Sequence, residues 1–322
     1  MPRIDDRFLE CVVYFYPSTE AAQEGRRAGG CGFWVSVPGQ LAGFHHAYIV
    51  TNGHVVRDIG SCRVIRINRI GGGFDVVETT KDGWFHHENG DDVAIYKLDP
   101  TDTYKFKHVS TDMFVTHDLV RELNIGPGDD VVTAGRFITH DGKESNNPIL
   151  RFGNIAMMPL EPIALPSGLR QESFLVESRS LIGASGSPVF VRISLDLMGR
   201  PGVANQDKGG VFLLGINWGH LNLGGVAPDL SNINYGAVYG KDNKPHPEGW
   251  KVPVNTGMMG VVPAWKILEL LNQADVAEHR LSDEIRKSEE NMANMIASLD
   301  SMPDETKRQL LEALNRKLPP KD

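Results

Sequence analysis

Cysteine is scarce in this chain. Cys11, Cys31 and Cys62 are the only three among 322 residues. An odd, low count argues against a disulfide framework and predicts buried, unpaired thiols in a reducing compartment. None of the three sits in a glycine-rich turn, so none reads as a cysteine nucleophile. Long apolar runs are missing as well. Nothing approaches the roughly 18–20 consecutive apolar residues of a membrane span, so no membrane partner is expected. The opening segment, Met1-Pro2-Arg3-Ile4-Asp5-Asp6-Arg7, carries both signs of charge and lacks the basic region followed by an apolar region that marks a leader. A secretory leader is therefore not visible, and a cytoplasmic location is expected. Basic character is lacking too. Against 33 Lys and Arg stand 41 Asp and Glu, for a net charge of −8. That argues against sequence-independent nucleic-acid binding, which needs a basic face to neutralise phosphates.

Metal-ligand spacing is also absent. The chain has 11 histidines, including the adjacent pairs His45-His46 and His86-His87. Neighbours on a strand point to opposite faces, so such pairs chelate poorly. No Cys or Glu stands at ligand spacing from them, so neither a metal nor a cofactor is expected.

What the chain has in quantity is strand pattern. Short runs of Val, Ile, Phe and Tyr alternate with Gly, Pro, Asn and Asp turns. The pattern predicts strands over 8–16, 31–37, 47–52, 61–69, 74–80 and 92–98, and a second series over 130–137, 149–157, 173–178, 187–193, 211–217 and 234–240. Two runs of six strands suit two closed antiparallel barrels, because closure removes exposed strand edges. The expected architecture is all-β: an N-terminal barrel over 1–105, a linker over 106–129, a C-terminal barrel over 130–262 and a helical extension over 263–322. Two Gly- and Pro-rich insertions, 195–210 and 240–257, read as surface loops. From Pro263 onward apolar residues recur at helical spacing: Leu268, Leu271, Val276, Leu281, Ile285, Met292, Met295, Ile296 and Leu299. Residues 263–275 are expected to pack on the second barrel. The 276–318 region is expected to serve an oligomer or a regulatory protein.

The chemistry concentrates in three places. Gly183-Ala184-Ser185-Gly186-Ser187-Pro188 puts a serine between small residues. Glycines there permit backbone dihedrals that a Cβ forbids and leave N–H groups uncovered for an oxyanion. Val50-Thr51-Asn52-Gly53-His54-Val55-Val56 places a histidine where a strand ends. Asp91-Asp92-Val93-Ala94-Ile95 opens a strand with two carboxylates. Asp92 shares a face with the small Ala94, which leaves room for another side chain, so Asp92 is chosen over Asp91. A serine is a poor nucleophile without a base. His54 can take the Ser185 proton, and Asp92 can hold His54 in the tautomer that carries Nδ1–H. The amides of Gly183 and Ser185 are the expected oxyanion donors. The chain order His, Asp, Ser is that of chymotrypsin-like proteases and not of subtilisins or α/β-hydrolases.

These residues resemble the trypsin-like, chymotrypsin-fold serine peptidases, over about residues 8–270. Gly30-Cys31-Gly32-Phe33, Thr51-Asn52-Gly53-His54-Val55-Val56 and Asp92-Val93-Ala94-Ile95 are similar to blocks of the bacterial Do-like members. Ser185-Gly186-Ser187-Pro188-Val189-Phe190 and Leu214-Gly215-Ile216-Asn217-Trp218-Gly219 are similar to the glutamyl endopeptidases. The resemblance implies two six-stranded barrels, a cleft between them lined by Asn217, Trp218 and Gly219, and a polypeptide substrate paired along that edge. It also implies a pocket-floor place for Arg179. Ala184 stands where the family usually has Asp or Asn, so activation through a new N-terminal ammonium is not expected. Asn217 replaces the histidine that binds acidic side chains in glutamyl endopeptidases, so glutamate specificity does not carry over. No PDZ domain follows, unlike in the Do-like proteases. The expected function is a cytoplasmic serine endopeptidase. The alternatives are a catalytically silent binding or scaffold module on the same fold, or an esterase using the same three residues.

Overall fold

β-branched and aromatic side chains fit a pleated, half-buried surface, and runs of them make strands throughout this chain. The computed structural model describes residues 3–41, 43–57, 62–137, 140–164, 170–178, 184–193, 209–222, 255–303 and 305–308. The chain divides into two units, Met1–Pro38 with His45–Gln273, and Gly39–Phe44 with Ala274–Asp322.

In the first unit, β1 (Val12–Tyr16), β2 (Gly30–Pro38), β3 (His45–Thr51), β4 (Val64–Asn68), β5 (Phe74–Glu78), β6 (Trp84–His86), β7 (Ala94–Lys97) and β8 (Val109–Ser110) form one sheet. Its order is β5-β4-β1-β2-β3-β7-β6, with β8 added parallel to β2. Phe15, Trp34, Ile49, Ile65 and Ile67 are fully or almost fully buried and fill its core. The expected first barrel takes the form of this sheet, whose end strands β5 and β6 each have one partner among the described residues.

The second series does close. β9 (Asp130–Gly135), β10 (Ile149–Met157), β13 (Phe174–Ser178), β14 (Pro188–Ile193), β15 (Gly210–Asn222) and β16 (Asn255–Pro263) form a barrel in the order β10-β13-β16-β15-β14-β9. The short strands β11 (Ile163–Ala164) and β12 (Arg170–Gln171) pair apart from it. The sequence pattern predicted neither the short strands β6, β8, β11 and β12 nor the barrel strand β16, where Asn255-Thr256-Gly257-Met258-Met259-Gly260 looks like a loop. Its Gly260 is required: a Cβ there would lie 2.2 Å from the Trp218 ring. The predicted strand at 234–240, positions 195–208 of the predicted 195–210 loop and positions 240–254 of the predicted 240–257 loop lie outside the described residues, while Gly210 opens β15 and 255–257 belong to β16.

Short helices punctuate the strands: α1 (Arg7–Glu10), α2 (Thr19–Glu24), α3 (Gly53–Arg57) and α4 (His117–Glu122). The first third of the predicted 8–16 strand is α1, held by the Asp5 carboxylate accepting from the Arg7 N–H at 2.9 Å. The 106–129 segment is less polar in place than in sequence. It contains α4 and sends Val115, Leu123 and Ile125 into the barrel core. The two halves of the first unit are tied by buried arginines. Arg66, over the Tyr16 and Phe74 rings, donates to Asn146 Oδ1 and the Asp141 carbonyl, both at 2.7 Å. Arg136 donates to the Ala28 carbonyl and pairs at 2.8 Å with Asp141, whose carboxylate accepts from the Ala28 N–H at 3.2 Å.

The predicted C-terminal helix is two helices. α5 (Ala264–Leu271) buries Ala264, Trp265, Ile267, Leu270 and Leu271, and Trp265 joins the barrel core edge-on to Phe174. α6 (Ala274–Ser301) belongs to the second unit. There the buried Glu284 carboxylate accepts from the Gln40 and Leu41 N–H groups at 3.0 and 3.3 Å. Along α6, Leu281, Ile285, Met292, Met295 and Ile296 are exposed.

Candidate active site

β3 is buried along Ala47–Thr51, and the chain leaves it at Asn52 to enter α3. Val55 and Val56 of α3 turn inward and are buried, which leaves His54 on the open side, with its side chain 41% exposed. Gly53 gives the tight entry. A Cβ there would lie 2.5 Å from the Arg57 guanidinium and 3.3 Å from Asp92 Oδ1.

Asp92 sits in the loop between β6 and β7. Its carboxylate meets His54 twice. The His54 N–H donates to Oδ1 at 2.8 Å, and Nδ1 lies 2.6 Å from Oδ2. The Asp92 side chain is only 11% exposed, so the bond is shielded from water and strengthened by low local polarity. An imidazole whose Nδ1–H is committed to a carboxylate presents Nε2 as its base. Of the two adjacent carboxylates, Asp92 therefore faces His54. Asp91 points elsewhere, toward His87 at 3.3 Å and Lys266 at 3.5 Å.

Ser185 lies on a tight turn in which the Ser187 N–H donates to the Ala184 carbonyl at 3.1 Å. Gly186, at φ +85°, holds the third place of that turn, where a positive φ is needed. The turn is seated on the N-terminal half. The Cys31 N–H donates to the Ser185 carbonyl at 2.7 Å. The Gly186 N–H donates to Asn52 Oδ1 at 2.6 Å, and the Asn52 amide donates to the Asp92 carbonyl at 2.8 Å. Asn52 thus links the serine turn to the aspartate loop, two residues before His54. The Ser185 hydroxyl donates to the Trp218 carbonyl at 3.3 Å.

The β15 block is placed beside this turn. Asn217 is fully buried. Its amide donates to the Ala184 carbonyl at 3.1 Å, and its Oδ1 accepts from the Gly219 N–H at 2.9 Å. Its side chain therefore braces the serine turn. Trp218 is half-buried and donates to Ser173 Oγ at 2.9 Å. β14 pairs with β15 only as far as Ile216, while β16 continues along it to Asn222, so one edge of 217–222 is not taken by β14. Gly183 and Arg179 lie outside the described residues.

The sequence reading missed Asn52 as a bridge and Gln171 as an acceptor for the Asp92 N–H, at 2.9 Å. The motif around His54 contained Asn52 but gave no sign of its partners, which are 40 and 134 residues away. It also missed a polar cluster beside Asp92. His87, Asp91 and Glu269 bring three donor atoms within 4.8 Å of one another. Lys266 Nζ lies 3.5 Å from Asp91 and 3.0 Å from Glu269, so an ammonium already supplies the positive charge there. A cleft of about 600 Å³ lined by Arg69, Gly72, Tyr104 and Lys105 among others contains none of the three candidate residues.

No family model matches the chain, and no curated protein matches it. Solved structures do. The chain is similar to the Rv3671c protease from M. tuberculosis in its active form, at 18% identity over 82% of this chain and 80% of that one, with a TM-score of 0.42. It is similar to Deg5 at 18% identity over 66% and 81% of the two chains, with a TM-score of 0.40. It is also similar to the HtrA-type protease AlgW with a decapeptide, at 15% identity over 79% of this chain and 53% of that one, with a TM-score of 0.40. At these values no residue role passes from one chain to the other.

Proposed function

We propose that this chain is a serine endopeptidase of two chymotrypsin-like barrels, in which Ser185 is the nucleophile, His54 the general base and acid, and Asp92 the group that orients His54. The observation that carries the reading is the two-point grip of Asp92 on His54, joined through Asn52 to the turn that bears Ser185. In the first step Ser185 Oγ attacks the scissile carbonyl carbon and its proton passes to His54 Nε2. The carbonyl oxygen becomes an oxyanion, for which the amides of Gly183 and Ser185 are the proposed donors. His54 then protonates the leaving amine, the C–N bond breaks, and an acyl-enzyme remains. Water, deprotonated by His54, attacks the ester and releases the acid and the free hydroxyl. Past Asn217, whose backbone is bonded to the serine turn, β15 carries no strand on its β14 side among the described residues, and that edge at 218–222 supports a substrate in extended conformation, added as a strand. Arg179 is the proposed contact for the side chain preceding the cut. The free, buried state of Cys11, Cys31 and Cys62 supports a reducing, cytoplasmic setting.

One contact favours a second reading, a catalytically silent binding module. The hydroxyl of Ser185 donates to the Trp218 carbonyl, and a proton held there is not on its way to a base. Labelling of the full chain with a fluorophosphonate probe separates the two. The peptidase reading expects labelling of the wild type, none of Ser185→Ala, and a loss of peptide hydrolysis of about 10⁴–10⁶-fold in that variant. A folded wild type that neither labels nor cleaves casein refutes it. Cleavage of a short ester without cleavage of any peptide amide would point to an esterase.

A further inference from the structure

The Asp91-Asp92 dipeptide stands opposite the Gln171-Glu172 dipeptide, which closes and follows β12. Gln171 Oε1 accepts from the Asp92 N–H at 2.9 Å. Lys266, on α5, fills the space between the two acidic members. Its Nζ lies 3.5 Å from Asp91, 3.6 Å from Glu172 and 3.0 Å from Glu269. His87 closes the cluster, with Nδ1 3.3 Å from Asp91 and Nε2 3.1 Å from Glu269. The side chains of His87, Asp91 and Lys266 are well shielded, at 1%, 10% and 15% exposed, while Glu269 and Glu172 face the outer side at 45% and 25%.

Two features set this arrangement apart from an ordinary surface ion cluster. The first is Gln171. It is fully buried, and its Nε2 has no hydrogen-bond partner among the described residues. Burying an amide with unpaired N–H groups costs stability, so its retention needs a compensating use, and its Oε1 has one at Asp92. The second is the adjacency of two carboxylates. An uncompensated Asp91 would repel the Asp92 carboxylate and swing it from His54. The Lys266 ammonium neutralises Asp91 and leaves Asp92 to the imidazole. Burial alone would lower the Lys266 pKa, yet its bond to Glu269 and the charges of Asp91, Glu269 and Glu172 raise it, so it stays charged.

We propose that Gln171 and Lys266, both from the C-terminal half of the first unit, are positioning residues that fix the Asp92 carboxylate against His54. This rests on the peptidase reading above. The Asp92 peptide is then held at both ends, by Gln171 at its N–H and by Asn52 at its carbonyl. The direction of a carboxylate follows from its backbone, and a loop such as 87–93 is where a backbone is least constrained. Two grips convert that loop into a fixed mount, and a misplacement of about 1 Å in such a group costs roughly 10²-fold in rate.

The test uses Gln171→Met in the full chain. It keeps the side-chain volume, removes the bond to Asp92, and also removes the unpaired amide. A purely structural role predicts a fall in melting temperature with kinetics that follow the folded fraction. The positioning role predicts little change in melting temperature, an unchanged KM and a kcat lower by about 10–100-fold. Lys266→Met should lower kcat by about 3–10-fold, and Lys266→Arg, which keeps the charge, should restore it. A second readout does not need turnover. The downfield NMR signal of the His54 Nδ1 proton, held by Asp92, should broaden or shift in Gln171→Met and stay in place in Lys266→Arg. An unchanged signal and an unchanged kcat in Gln171→Met overturn the proposal. If the wild type shows the signal but never labels, the peptidase reading fails, while the NMR comparison still decides whether Gln171 positions Asp92.

Discussion

Asn52→Ala removes a side chain that is 0% exposed and joins two otherwise separate loops. Its amide donates to the Asp92 carbonyl at 2.8 Å, and its Oδ1 accepts from the Gly186 N–H at 2.6 Å. The two losses differ in size. The Gly186 N–H also faces the Asn217 carbonyl at 2.8 Å, so it keeps an acceptor, and losing the bond costs about 0.5–1.5 kcal/mol. The Asp92 carbonyl loses the donor that Asn52 brings to it in a buried place, which costs about 1–3 kcal/mol. The emptied volume adds about 1 kcal/mol. A total of about 2.5–5.5 kcal/mol is a large part of the roughly 5–15 kcal/mol that holds a domain folded. Urea unfolding reads it. With a slope of about 3 kcal/mol per molar, the midpoint should fall by about 1–2 M and the slope should not change. Asn52→Asp is the control. It keeps an acceptor for Gly186 but loses the donor and sets a negative charge against the Asp92 carbonyl, so it should be at least as damaging. The fluorophosphonate labelling rate should fall by about 10²-fold in both, because the serine turn and the aspartate loop lose their common tie. An Asn52→Ala variant within about 0.5 kcal/mol of the wild type, a shift too small for a single lost hydrogen bond, would mean that neither bond exists in the folded protein.

Two further outcomes follow from the same geometry. Gly186→Ala would place a Cβ 1.8 Å from the Cys31 carbonyl oxygen at a φ of +85°. The left-handed backbone costs about 1–2 kcal/mol and the overlap about 1–3 kcal/mol, so a thermal melt should fall by at least about 5 °C and labelling should vanish; a melt within a degree of the wild type would refute the seat of the turn on Cys31. Burial pushes the Cys11 thiol up to about 12 and raises those of Cys31 and Cys62. At pH 8, below those values, the thiols stay protonated and unreactive, so mass spectrometry should find none alkylated by iodoacetamide in the folded chain and all three alkylated in denaturant; rapid alkylation of folded Cys31 would contradict its contact with the Ser185 turn.

Much of the strand plan was legible because period-two alternation and turn residues are local signals. β10 matches its predicted span residue for residue, and β2, β3, β13 and β14 differ from theirs by one or two positions at an end. β16 escaped because its glycines serve a partner: Gly260 makes room for Trp218, which lies 42 positions earlier in the chain. The 106–129 segment read as a linker because its apolar residues follow no period, yet Val115 and Leu123 are fully buried against the barrel. The break between α5 and α6 at Asn272-Gln273 carries no Pro or Gly to announce it.

The candidate site divides in the same way. The chemical types were fixed by the chain alone: a serine in a glycine turn, a histidine after a strand, an aspartate before one, in that order. Which of Asp91 and Asp92 faces His54 was argued from a face pattern, and the 2.6 Å contact is a matter of packing. The grips on the site belong wholly to the tertiary structure. Asn52 meets Gly186, Gln171 meets Asp92, and Lys266 sits between Asp91 and Glu172 across 79 to 175 residues of chain. Hydrogen bonds and ion pairs act over about 3–4 Å in space whatever the separation in sequence. Local pattern therefore determines the elements and the reactive groups, and only the closed barrel and the sheet beside it decide which groups meet.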